Sequence, residues 1–88
     1  SFQRIPSMPS LVSISAEIHP DNDLVGSLFS DVEKKLGVSF VMVERQEGGD
    51  GGVIAGVPEH DGVIAEGDRV YLFLDIDDLG KVEKSLGS

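Results

Sequence analysis

Cysteine is absent from this 88-residue chain, which removes disulfides, thiolate catalysis and Cys-ligated zinc together and is compatible with a reducing compartment. Cations are scarce: seven Lys and Arg stand against 16 Asp and Glu, for a formal net charge of -9. A nucleic-acid binder needs clustered cations to displace phosphate counterions, and an anionic membrane surface repels such a chain for the same reason. The acidity itself serves solubility first. Long apolar runs are missing too. The longest, Val70-Tyr71-Leu72-Phe73-Leu74, is far short of the roughly 20 residues needed to cross a bilayer. No charged segment followed by an apolar stretch opens the chain, so neither a signal nor a transit peptide fits.

What is present suits one small domain, with enough apolar residues for a single core. Residues 1–10, SFQRIPSMPS, carry two prolines and three serines without periodicity, and read as a linker into a domain over 11–88. With no initial Met, the expectation is a fragment of a longer protein.

From Val12 on, Val12, Ile14, Ala16 and Ile18 alternate with Ser13, Ser15 and Glu17, the pattern of a half-buried strand. His19-Pro20-Asp21-Asn22-Asp23 breaks it. Leu24, Leu28, Val32 and Leu36, joined by Val25 and Phe29, form an amphipathic stripe, which predicts a helix from near Leu24 ended by Gly37. Val38 to Glu44 is rich in β-branched and aromatic residues and predicts a strand, with Gly48-Gly49-Asp50-Gly51-Gly52 as a hairpin tip and Val53-Ile54-Ala55 pairing back. Val63-Ile64-Ala65 predicts a short strand or extended segment before the Glu66-Gly67-Asp68 turn. Five successive apolar residues from Val70 predict a central strand buried on both faces. Leu79, Val82 and Leu86 mark a closing helix capped by Asp77 or Asp78 and stopped at Gly87. The class is therefore α+β, a small mostly antiparallel sheet with two helices in the order β-α-β-β-β-β-α.

Motifs for chemistry are few. The glycine-rich tip lacks the spacing and the Lys of a phosphate-binding loop. Asp75, Asp77 and Asp78 lack the twelve-residue loop and terminal Glu of an EF-hand, and helix capping accounts for them better. His19 and His60 lie in turns beside carboxylates, where polar residues are expected without any metal or proton-sensing role. No Ser-His-Asp arrangement, nucleophile elbow or differentiated pair of carboxylates is present. A binding module is expected rather than an enzyme.

Four segments then fall in a telling order: Asp23-Leu24-Val25-Gly26 with Leu28, Leu36-Gly37-Val38, Glu66-Gly67-Asp68-Arg69-Val70, and Asp77-Asp78-Leu79. Across about residues 11–86 the chain resembles the TrkA C-terminal domain family, the C-terminal half of modules that regulate potassium conductance. The resemblance implies a cytoplasmic regulatory domain at the inner face of the plasma membrane, attached to a cation channel, potassium uptake system or cation/proton antiporter. It implies a homodimer, a membrane transporter or channel portion as partner, and no insertion of the domain itself. In some members the groove between protomers binds a small ligand, including cyclic di-AMP or a metal ion.

That groove maps here to Val32, Glu33, Gly37, Val38, Ser39 and Phe40. The pattern common in cyclic di-AMP binders is Asp-Ile-Arg-x-x-x-Gly-Ile-Asn. This chain has Glu33 at the Arg position and Ser39 at the Asn position. A carboxylate repels an anion in a partly desolvated groove, which argues against cyclic di-AMP and leaves no cofactor assigned. A different small ligand, a divalent cation or ligand-free dimerisation fits better. The alternatives are a ligand-free dimerisation module of another secondary transporter and a small enzyme.

Overall fold

The computed structural model describes residues 10–47 and 52–87. Most of the expected linker and hairpin tip lies outside the described residues. Four strands, β1 (Leu11–Glu17), β2 (Ser39–Glu47), β3 (Gly52–Gly56) and β4 (Arg69–Asp75), form one sheet in the order β1-β4-β2-β3, antiparallel throughout. Helix α1 (Phe29–Leu36) precedes β2, and a short 3-10 turn (Ile76–Asp78) leads into α2 (Leu79–Leu86). This is the α+β class expected. Of the two forms expected at Val63-Ile64-Ala65 the strand is not the one found, since Val63 makes only an isolated bridge with Leu28, and the described sheet has four strands rather than the five of the expected order.

Strand β4 is central, as its apolar run predicts, but it is not buried on both faces. Val70, Leu72 and Leu74 are buried, whereas Tyr71 is half-buried and Phe73 is 46% exposed. The register explains the difference. Val12, Ile14 and Ala16 of β1 pair with Leu74, Leu72 and Val70, and Phe40 and Val43 of β2 pair with Leu72 and Val70. Since side chains alternate along a strand, these residues share one face. Phe29, Val32 and Leu36 of α1 and Val82 and Leu86 of α2 complete the same core. Each such side chain contributes about 1.5–3 kcal/mol when fully buried. The opposite face carries Ser13, Ser15, Tyr71, Phe73 and Met42. The β2–β4 ladder shifts register between Phe40 and Met42.

The first helix begins at Phe29, five residues later than its stripe suggests. Asn22 Oδ1 accepts the Leu24 N–H at 2.8 Å and Gly26 has φ +88, a conformation a helix cannot continue through. Residues 24–28 instead run beside 62–64: the Gly26 N–H donates to Ile64 O at 2.8 Å and the Ile64 N–H to Ser27 O at 2.8 Å. A side chain at Gly26 would meet nothing within 4 Å, so backbone conformation, not close approach, calls for glycine there. The helix ends as expected, at Gly37 in the left-handed region. At the far end the side-chain cap is Asp75, whose Oδ1 accepts the Asp77 N–H at 2.8 Å, while Asp78 makes no side-chain cap bond.

Candidate functional site

The corner between α1 and β2 holds all six residues that the resemblance implicates. Val32, Val38 and Phe40 belong to the buried core, where the Phe40 ring meets Phe29 edge-on at 5.2 Å between centroids. They shape the corner from beneath. Gly37 and Ser39 are exposed and Glu33 is half-buried. The Glu33 carboxylate is engaged: Oε2 accepts the Phe40 N–H at 2.8 Å. It thereby ties the last turn of α1 to the first residues of β2, in a charge-assisted bond of the stronger kind. Its negative charge remains at the corner and offers an acceptor to a cation or a neutral donor.

The opposite end of β2 is organised by a pair that sequence reasoning missed. Arg45 Nε donates to Asp68 Oδ1 at 2.8 Å and Nη2 to Asp68 Oδ2 at 2.7 Å, a bidentate fork. Nη2 also donates to Val63 O at 2.9 Å, and the Ala65 N–H donates to Asp68 Oδ2 at 2.9 Å. Asp68 is fully buried while the Arg45 side chain is 43% exposed. The bond to Asp68 holds the guanidinium above its ordinary pKa, against the opposing effect of burial. The acids flanking Gly67 thus have different roles, since Glu66 faces water and Asp68 does not. Arg45 is the only cation between residues 44 and 68, which was the available signal. Beside the pair lies a cleft of about 300 Å³, lined chiefly by Phe29, Val43, Ile54, Val57, Val63 and Arg45.

The outer face of the sheet carries a third feature. The Tyr71 hydroxyl donates to Glu44 Oε1, and this bond, with lesser help from desolvation and the carboxylate's charge, raises the phenol's pKa. Phe73, at 46% exposure, and Val41, at 38%, leave apolar surface open nearby.

The turn residues do not gather into a further site. His19 and His60 are exposed, and among the described residues no three His, Asp or Glu side chains group as metal ligands. Asp75 is occupied by the cap already described. Among the described residues no helix is long and apolar enough to cross a membrane. No protein-family model, curated protein or solved structure matches the chain.

Proposed function

We propose that this chain is a regulatory, ligand-sensing and dimerising domain of a cation channel, potassium uptake system or cation/proton antiporter, acting on the cytoplasmic side. The observation carrying the proposal is the α1–β2 corner. There a helix closed by left-handed Gly37 delivers Glu33 to the backbone of Phe40, within the run Asp31 to Ser39 that resembles the TrkA C-terminal ligand groove. Support also comes from the Glu66-Gly67-Asp68 turn, which leads directly into central strand β4. A ligand at this corner acts by binding one dimer arrangement better than another, since only differential affinity shifts an equilibrium.

The Glu33 carboxylate makes the ligand a cation or a donor-rich neutral molecule, and disfavours a cyclic dinucleotide. A thermal-shift screen of divalent ions, amino acids and nucleotides, combined with sedimentation over a concentration series, tests both halves. The expected result is a dimer whose melting temperature rises with one cationic or neutral compound. Monomer at every concentration with no compound shifting the melt would overturn the proposal. A second reading, dimerisation without a ligand, is favoured by the burial of Val32, Val38 and Phe40, which leaves few corner side chains to meet a ligand. Tight dimerisation indifferent to every compound would select it.

A further inference from the structure

Among the described residues, strand β3 lies at one end of the sheet and pairs with β2 alone. In an antiparallel ladder, alternate backbone groups of such an edge strand point away from the sheet. Natural edges are commonly guarded by Lys, Pro, a bulge or an inward charge. The sequence of β3, Gly-Val-Ile-Ala-Gly, has no charged residue and no proline, and all five residues are exposed, including Val53 at 56% and Ile54 at 51%. Its apolar surface continues into the cleft under Ile54, where Val57 is 77% and Val63 44% exposed. The other edge, β1, differs: Ser13, Ser15 and Glu17 alternate along it, and α2 residues Glu83 and Leu86 flank Ile14 and Ala16.

Charge identifies what fits this edge. The segment after β3 carries the exposed acids Glu59, Asp61 and Glu66 and no Lys or Arg before residue 69, and the one cation of β2, Arg45, is already forked onto Asp68. The next cation, Arg69, faces Glu17 at 3.6 Å. Glu59 lines the cleft itself. A second copy presenting its own β3 would bring one acidic set against another.

We propose that the edge of β3 docks an extended peptide segment whose alternate residues, those turned to the cleft, are apolar and cationic. The segment adds as a further strand, its backbone completing the outward hydrogen bonds of residues 53–56. On the face turned to the cleft its apolar side chains lie beside Ile54, Val57 and Val63 and its cationic one meets Glu59. In such strand addition the backbone supplies affinity and alternate side chains supply selectivity. This edge lies at the opposite end of β2 from the Glu33 corner, so the proposal stands independently of ligand sensing there.

Titration of the isotope-labelled chain with a synthetic Lys-Val peptide, in which Val and Lys occupy alternate positions on one face with Thr between them, followed by amide NMR and hydrogen exchange, tests this. Shifts and slowed exchange are expected to concentrate in residues 53–56, to weaken with added salt, and to be absent with a Glu-Val peptide. The double variant Glu59→Lys/Asp61→Lys, altered only at exposed positions, is expected to bind the Lys-Val peptide about tenfold more weakly with an unchanged unfolding midpoint. No binding of the Lys-Val peptide, equal binding of the Glu-Val peptide, unchanged affinity in the double variant, or peptide-induced shifts confined to other elements would each overturn the proposal. So would protection of residues 53–56 that grows with protein concentration alone, which would assign the edge to a second copy.

Discussion

Arg45 reaches across from β2 to hold Asp68, the residue just before β4, with two parallel hydrogen bonds, 2.8 and 2.7 Å long, and does so from the rim of the fold while its partner is wholly buried. The asymmetry matters for stability. An unpaired charge costs most where water cannot reach it.

Removing the arginine should therefore cost more than neutralising the aspartate. Arg45→Met strands the Asp68 carboxylate with only the Ala65 N–H as a remaining partner in the described network, and is expected to destabilise by about 3 kcal/mol. Asp68→Asn keeps an oxygen for that N–H and leaves a guanidinium that is half in water, with an expected loss of about 1–2 kcal/mol. Urea unfolding of both variants checks the order. Equal losses would mean that Asp68 is better hydrated than its burial indicates.

A comparison along β4 checks the two faces of the sheet. Leu72→Ala empties a core position and is expected to cost about 2–5 kcal/mol. Phe73→Ser, one residue on and 46% exposed, should change the stability of the monomer by no more than about 1 kcal/mol. Denaturation at low concentration measures both. A large loss at Phe73 would show that this face is covered in solution.

Legibility followed the range of the interactions. The alternation at Val12, Ile14 and Ala16, the stripe through Phe29, Val32 and Leu36, and the Gly37 stop are local patterns, and they led to the right strand, helix and helix end. The later start of α1 depends on a segment near Ile64 that pairs with residues 26 and 27, which periodicity does not register. The burial of Asp68 leaves no local mark, because its partner is 23 residues away. At the α1–β2 corner the stripe already turns Val32 inward, but no local pattern tells that Val38 and Phe40 join the core or that Glu33 serves the Phe40 backbone.

Gly26 separates conformational strain from crowding. Its φ of +88 disfavours an L side chain, yet the space around it is open. Gly26→Ala is expected to destabilise by about 1–2 kcal/mol, and Gly26→Asn by less, since Asn tolerates positive φ better. Urea midpoints of the two variants give the comparison, and identical losses would point to a contact rather than to φ.

Glu33 offers a test that divides folding from ligand choice. Glu33→Gln retains an acceptor for the Phe40 N–H but removes the charge, and should leave stability within about 1 kcal/mol while abolishing any shift of the melt by a cation. Glu33→Ala removes the acceptor as well, and is expected to cost about 1–3 kcal/mol. If the two variants unfold alike, the bond to Phe40 contributes little.

Tyr71 supplies the pH dependence. Its hydroxyl donates to Glu44, and that bond favours the protonated phenol, so the folded-state pKa stands above the ordinary value near 10. A group whose pKa is raised on folding contributes stability that is fully present below the unfolded pKa and is lost as pH rises through the folded one. This contribution should accordingly be constant through neutral pH and fade only above about pH 10. Phenolate absorbance of the native chain, which has a single tyrosine, is expected to appear at higher pH than in denatured chain. Glu44→Gln should move the native midpoint back toward the ordinary value, because a neutral amide is a weaker acceptor and carries no charge to oppose the phenolate. Tyr71→Phe should remove this part of the alkaline destabilisation. A native midpoint at or below the denatured one would show that the Glu44 bond does not persist in solution.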